Sequence, residues 1–83
     1  MQHRPLSMIA AEIKQDWKSR NNGGAVPFIE GLGELRNARD RWYAETGADA
    51  IRGFLMNAQH WRGDVARRIK LELKAILKDH EKI

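Results

Sequence analysis

The sequence contains no cysteine, which excludes disulfide bonds and metal sites built on thiolates. This absence is compatible with a reducing, intracellular setting. The sequence also has no run that approaches the ~20 apolar residues required by a membrane-spanning helix. The one basic residue near its start, Arg4, is not followed by the apolar run of a secretory signal. We therefore expect a cytoplasmic protein that has no contact with a membrane.

Residues that commonly carry catalysis or bind metals are also few. The only serines, Ser7 and Ser19, are better explained by roles at helix ends than as nucleophiles. His60 and Asp64 lie four residues apart, but a glycine separates them and no second pair supports a metal site. The glycine pairs are not followed by the Gly-Lys-Ser/Thr of a phosphate-binding loop. We therefore expect no enzymatic activity, no cofactor and no metal.

The length and composition are those of one small folded domain. The chain has 83 residues, of which 42% are hydrophobic and 31% are charged, as in soluble globular proteins. A chain of this length buries only about 60–65% of the surface that its unfolded form exposes, so its core is thin. Formation of a homodimer is one way in which such a small domain gains further stability.

Apolar residues recur at helical spacing in four segments, whereas alternation of period two never lasts more than a few residues. The pattern predicts an all-α protein without strands, a small bundle of about four helices in a single domain. The helices are predicted over residues 6–19, 26–37, 48–60 and 64–80. Residues 37–47 either extend the second helix or form a polar connection.

The three tryptophans are a large aromatic content for such a core. We expect Trp17 and Trp61 to lie at its edges, each with its indole N–H free to meet a hydrogen-bond partner. Trp42 has the weakest support from helical periodicity, and it either lies at the core edge as well or is exposed beside Tyr43. An exposed Trp–Tyr pair flanked by arginines has the composition of a protein-binding hot spot. The residues predicted to bind a partner are Arg39, Arg41, Trp42 and Tyr43.

The net charge is +4, and the excess of basic residues lies in the last quarter of the chain. Steps of three and four residues place four basic side chains in a row beside the apolar stripe of the fourth helix. This cationic row consists of Arg67, Lys70, Lys74 and Lys78. Such a row could bind nucleic-acid phosphates in a salt-sensitive and largely sequence-independent way. The alternative is a solvated helix face that nearby acidic residues partly neutralise.

Two parts of the chain resemble a known family. The first part comprises residues 9–18 and 24–29, and the second comprises residues 47–58, 61–70 and 73–74. They are similar to small uncharacterised proteins of tailed phages, prophages and other mobile elements. That family has no settled activity, so the resemblance transfers no site residue. It implies a phage-type protein in the cytoplasm of a host cell.

Phage accessory proteins of this size commonly act by occupying a surface on a host or phage complex. The resemblance, rather than spacing or charge, therefore favours a non-catalytic protein that binds a host or phage protein. A host replication, transcription or defence factor that it inhibits is one such target. The alternative function is that of a nucleic-acid-binding accessory factor that uses the cationic row.

Overall fold

The computed structural model describes residues 3–19 and 23–81, which fold into four α-helices and one short β-hairpin. In chain order the elements are α1 (Leu6–Asp16), α2 (Val26–Gly33), β1 (Arg41–Trp42), β2 (Glu45–Thr46), α3 (Gly47–Asn57) and α4 (Asp64–Glu81). Helix α2 packs against α1 and α3, and α4 contacts α1 and α3. The prediction of an all-α, single-domain bundle of about four helices is confirmed. None of the described helices is long and apolar enough to cross a membrane.

The first two helices are shorter than predicted. The helix predicted over residues 6–19 ends at Asp16, because Trp17 leaves the helical backbone with φ −93° and ψ 87°. The helix predicted over residues 26–37 ends at Gly33. Two of its last three residues are glycines, each of which destabilises a helix by about 1 kcal/mol relative to alanine. The third and fourth helices begin and end within three residues of their predicted limits.

The segment between α2 and α3 is neither a continued helix nor a plain polar loop. It forms a turn and then an antiparallel hairpin in which Arg41 pairs with Thr46 and Trp42 pairs with Glu45. The expectation of no strand is therefore wrong for this segment. Each strand has two residues, which is too short for an alternating hydrophobic pattern to appear in the sequence.

A capping box fixes the junction between the hairpin and α3. The hydroxyl of Thr46 accepts a hydrogen bond from the N–H of Asp49 at 3.2 Å, and the carboxylate of Asp49 accepts one from the N–H of Thr46 at 3.1 Å. Hydrogen bonds to the Asp49 carboxylate from the backbone N–H and then the side chain of Thr46 lower the pKa of Asp49, because they stabilise its charged form. Reciprocal capping satisfies two amides that the start of a helix otherwise leaves unpaired.

Three aromatic rings pack together within the core. Trp17 and Trp61 stack with centroids 5.6 Å apart, and the ring of Phe54 meets both of them edge-on at 6.3 and 6.0 Å. Both tryptophans are buried. The indole N–H of Trp61 donates to the carboxylate of Asp16 at 2.9 Å. Both tryptophans therefore belong to the core, and Trp61 has the hydrogen-bond partner that an indole N–H requires.

A network of ion pairs joins Arg4 and α1 to α4. Arg4 donates two hydrogen bonds of 2.8 Å to the carboxylate of Glu72 and lies 3.0 Å from Glu12. Arg68 also contacts Glu12. Hydrogen bonds from Arg68 and then Arg4 lower the pKa of Glu12 below its ordinary value of 4.5. The network therefore stabilises the packing of α1 on α4 most at a pH where the Glu12 carboxylate is ionised.

We expect the free energy of unfolding to fall less steeply with decreasing pH in Glu12→Gln than in the wild type. Because the pKa of Glu12 is lower in the folded protein, its contribution is complete above its ordinary pKa and is lost as the pH falls through the folded-state value. Urea titrations between pH 6 and about pH 3 measure the dependence. Glu30 is exposed and makes no ion pair with a described residue, so Glu30→Gln should retain the wild-type slope. Equal slopes in wild type and Glu12→Gln would contradict this role of the network.

Candidate functional site

The turn that follows α2 is held by its own side chains. The side-chain oxygen of Asn37 accepts hydrogen bonds from the N–H groups of Arg39 at 2.9 Å and Asp40 at 3.1 Å. The carboxylate of Asp40 accepts hydrogen bonds from the N–H groups of Arg36 at 2.9 Å and Asn37 at 3.3 Å. Side chains of Asn and Asp commonly stabilise turns in this way. We call residues 36–40 the arginine turn, since arginines flank Asn37 within it.

Backbone hydrogen bonds attach the arginine turn to the starts of two helices. They run from Leu6 N–H to Arg36 O, from Ser7 N–H to Leu35 O, from Gly47 N–H to Asp40 O, and from Ala48 N–H to Ala38 O, with N···O distances of 2.8–2.9 Å. The free amides at the starts of α1 and α3 therefore find acceptors in this turn and in the residue before it. Because two helices hold it, the turn presents its arginines from a fixed backbone.

The hairpin places Tyr43 at its tip. The two residues between the strands are Tyr43 and Ala44, and Tyr43 is the only non-glycine residue with a positive φ (59°) among the described residues. A two-residue turn with a positive φ at its first position alone has the pattern of a type II′ turn, which favours glycine there. The side chain of Tyr43 is 87% exposed. A bulky side chain thus occupies a position that glycine would occupy with less strain.

Trp42 is half-buried, and its ring contacts the ring of Tyr43. Its ring packs against the core and lies beside α2 at Gly31, where an added Cβ would be only 3.0 Å from the indole. The rings of Trp42 and Tyr43 meet edge-to-face with centroids 5.1 Å apart. Of the predicted exposed pair, only Tyr43 is fully exposed. Trp42 lies deeper because Gly31 has no side chain to keep the indole away from the helix.

The arginines near the hairpin differ in their surroundings. Arg36, Arg39 and Arg41 are exposed. Arg41 lies close enough to Asp49 to contribute to the lowered pKa of that carboxyl group. The guanidinium groups of Arg36 and Arg39 make no ion pair with any described residue. The arginine turn therefore carries two positive charges that the described fold does not neutralise.

A cleft of about 390 Å³ lies between the arginine turn, the start of the described chain and the end of α4. Its apolar lining comes from Leu6, Ala38 and Ile76. Its polar lining consists of His3, Arg4, Arg36, Asn37, Arg39, Asp79 and His80. The imidazole of His3 lies 2.5 Å from the carboxylate of Asp79. The cleft thus joins an apolar floor to a rim on which positive charge exceeds negative charge.

Sequence reasoning selected Arg39 for binding but missed Arg36 and the cleft. The cleft combines residues 3–6, 36–39 and 76–80, which are far apart in the chain. Hydrophobic periodicity assigns residues to helix faces, but it does not show which helix ends meet. The one available signal was the pair of arginines flanking Asn37, a residue that favours turns.

The cationic row on α4 is interrupted by contacts within the fold. Arg67 lies 3.2 Å from the carboxylate of Asp64, and the ammonium of Lys70 donates to the carbonyl of Trp61 at 2.7 Å. Burial lowers the pKa of Lys70, and the positive charges of Arg62 and Lys74 lower it further. Lys74 and Lys78 are exposed.

Of the four basic residues predicted to bind nucleic acid, two therefore have partners in the fold. The exposed side chain of Leu71 (62% exposed) lies on the same helix face, since it is four residues from Arg67 and three from Lys74. The face as it stands is thus a mixed surface and not a continuous row of free cations.

The described residues contain no group of three or more His, Asp or Glu side chains that could hold a metal ion. No protein-family model, curated protein or solved structure matches the chain. The resemblance to phage proteins therefore stays a prediction.

Proposed function

We propose that this protein is a non-catalytic, phage-type accessory protein that binds a host or phage protein complex through the tip of its hairpin. The contact residues are Tyr43 at the tip, Trp42 beneath it, and the flanking Arg39 and Arg41. The observation that carries the proposal is the exposed Tyr43 at a positive φ. The host-cell setting follows from the family resemblance alone.

The fold gains little from a tyrosine at this position. A non-glycine residue in the left-handed region costs about 1–3 kcal/mol, and the exposed ring recovers only part of that cost through its edge contact with Trp42. Tyrosine is, however, one of the residues most often found at the centre of protein interfaces. Binding to another protein would bury the ring and would account for its place at the tip.

The arginines complete a surface of the kind that proteins recognise. Arg39 and Arg41 are exposed on either side of Asp40, directly before the hairpin tip. Arginine is enriched at interfaces because its planar group forms paired hydrogen bonds and stacks on aromatic rings. The half-buried Trp42 contacts the tyrosine ring edge-on, which limits the conformational entropy that the ring loses on binding.

Binding of nucleic acid through Arg67, Lys70, Lys74 and Lys78 receives less support. Non-specific binding strengthens with the number of phosphates that free cations neutralise. Contacts to Asp64 and to the carbonyl of Trp61 already engage two of the four groups. At the hairpin tip, by contrast, Tyr43 is 87% exposed although its ring edge contacts Trp42.

Tyr43→Gly should separate binding from folding. Glycine relieves the strain at φ 59°, so we expect the free energy of unfolding to stay within about 1 kcal/mol of the wild-type value. We expect the same variant to lose a partner that the tagged wild-type protein retains in quantitative affinity capture from cells that express it. Tyr43→Ala should lose that partner too and should be less stable than Tyr43→Gly, because it keeps the strain.

Leu71→Ala is the matched control, since Leu71 is an exposed apolar residue on another element. It should retain every partner that the wild-type protein retains. Identical sets of captured proteins for wild type and Tyr43→Gly would overturn the proposal. A loss of several kcal/mol in Tyr43→Gly would instead assign the tyrosine a structural role.

A further inference from the structure

We propose that the cleft beside the arginine turn binds an acidic peptide segment of the partner protein. This inference rests on the proposed function and names the chemistry of the partner. The segment would place one or more Asp or Glu side chains against Arg36 and Arg39. Its neighbouring residues would cover the apolar floor of the cleft.

Charge complementarity is the first reason for this choice. The guanidinium groups of Arg36 and Arg39 have no ion-pair partner among the described residues, whereas Arg4, Arg52, Arg67 and Arg68 all have one. Among those residues, Arg41 and Arg62 also lack an ion pair, but they do not line the cleft. The third arginine at the cleft, Arg4, is already held by two carboxylates. The charge available to a ligand therefore comes from the arginine turn.

The rigidity of the arginine turn is the second reason. Hydrogen bonds to the side chains of Asn37 and Asp40 fix its backbone. Its carbonyl groups also accept hydrogen bonds from amides at the starts of α1 and α3. Arginine forms two parallel hydrogen bonds with a carboxylate, and a fixed backbone reduces the entropy lost when it does so. Two such arginines three residues apart suit a peptide that carries more than one carboxylate.

The shape of the cleft distinguishes a peptide from a nucleic acid. A volume of about 390 Å³ is at the small end of the range for ligand pockets, and it can accept one or two side chains. The apolar residues that line it are Leu6, Ala38 and Ile76, each at most 5% exposed. A nucleic-acid backbone needs an extended track of cations, which a cleft of this size does not supply.

Fluorescence anisotropy with a labelled hexaglutamate peptide tests the inference on the full chain. We expect saturable binding that Arg36→Gln combined with Arg39→Gln weakens by about tenfold or more, because each arginine supplies charge-assisted hydrogen bonds. Lys18→Gln combined with Arg62→Gln removes the same charge from exposed positions outside the cleft. This control should bind within about twofold of the wild type, since distant exposed charges contribute little.

A second measurement locates the site. On titration with hexaglutamate, the amide resonances of Leu6, Ala38 and Ile76 should shift in the wild-type protein and stay in place in the double arginine variant. Near-ultraviolet circular dichroism checks that both double variants keep the fold. Equal weakening in the two double variants would show attraction to net charge alone and would overturn the inference.

A labelled oligothymidylate distinguishes the other class of partner. We expect it to bind more weakly than hexaglutamate at the same ionic strength. Binding of oligothymidylate but not hexaglutamate through Arg36 and Arg39 would overturn the acidic-peptide inference, and so would binding of neither probe. Hexaglutamate binding and the Tyr43-dependent capture are independent readouts. If hexaglutamate does not bind, the proposed hairpin interface therefore still stands. If capture does not depend on Tyr43, that result would not explain a loss of hexaglutamate binding.

Discussion

Replacement of Phe54 by alanine is expected to lower the free energy of unfolding by about 3–5 kcal/mol. Phe54 is fully buried, and its ring edges meet the rings of Trp17 and Trp61. The stacked tryptophans are too large to move into the space that the phenyl ring leaves, so a cavity remains. Domains of this length are stable by only about 4–12 kcal/mol in total. The free energy of unfolding of Phe54→Ala should therefore be small or close to zero.

Urea unfolding followed by tryptophan fluorescence measures the loss, since both indoles report on this cluster. Met56→Ala is the control on the same helix, because Met56 is 74% exposed. Its stability should stay within about 0.5 kcal/mol of the wild type. A loss below about 1 kcal/mol in Phe54→Ala would be inconsistent with a tightly packed aromatic centre.

Gly47→Ala is expected to lower the free energy of unfolding by at least about 2 kcal/mol. Gly47 is buried at the start of α3, and an added Cβ would lie 2.3 Å from the carbonyl oxygen of Asn37 and 2.9 Å from the Cα of Ala38. Both neighbours are backbone atoms of the arginine turn. They cannot rotate away as a flexible side chain would, so the junction itself must open.

Gly33→Ala provides the matched control for this substitution. The nearest atom to an added Cβ at Gly33 is the Cβ of Ala10, at the ordinary contact distance of 4.0 Å. Alanine also favours the helix by about 1 kcal/mol, so Gly33→Ala should be neutral or stabilising. Thermal unfolding of the two variants compares them directly.

Gly47→Ala should also weaken hexaglutamate binding, because the displaced backbone carries Arg36 and Arg39. Wild-type stability together with wild-type peptide affinity in Gly47→Ala would contradict the tight junction described between α3 and the arginine turn.

The limits of a helix could be predicted where the local sequence marks the residues at which it begins and ends. Helix α4 was predicted over residues 64–80 and is observed at Asp64–Glu81. It is long, has a continuous apolar stripe, and follows Gly63, which has a positive φ of 116°. Helix α2 has eight residues and two glycines near its end. Its true end depends on the hydrogen bonds that Leu35 and Arg36 make to the start of α1, and these are tertiary contacts.

The candidate site could be predicted only in part. Tyr43 was selected from its composition and its neighbours, and it is exposed as expected. Trp42 was left either at the core edge or exposed beside Tyr43, and its indole packs on α2 at Gly31. No local pattern connects residues 31 and 42, so periodicity and propensity carry no information about that contact.

The sequence by itself determined the class of fold and the four helical segments, because side chains at helical spacing place their apolar groups on one face. Only the tertiary structure decided the hairpin, the depth of Trp42 and the cleft at the arginine turn. The physical reason is distance along the chain. The cleft depends on contacts between residues 3–6, 36–39 and 76–80, and such contacts form only when the helices pack and their ends meet.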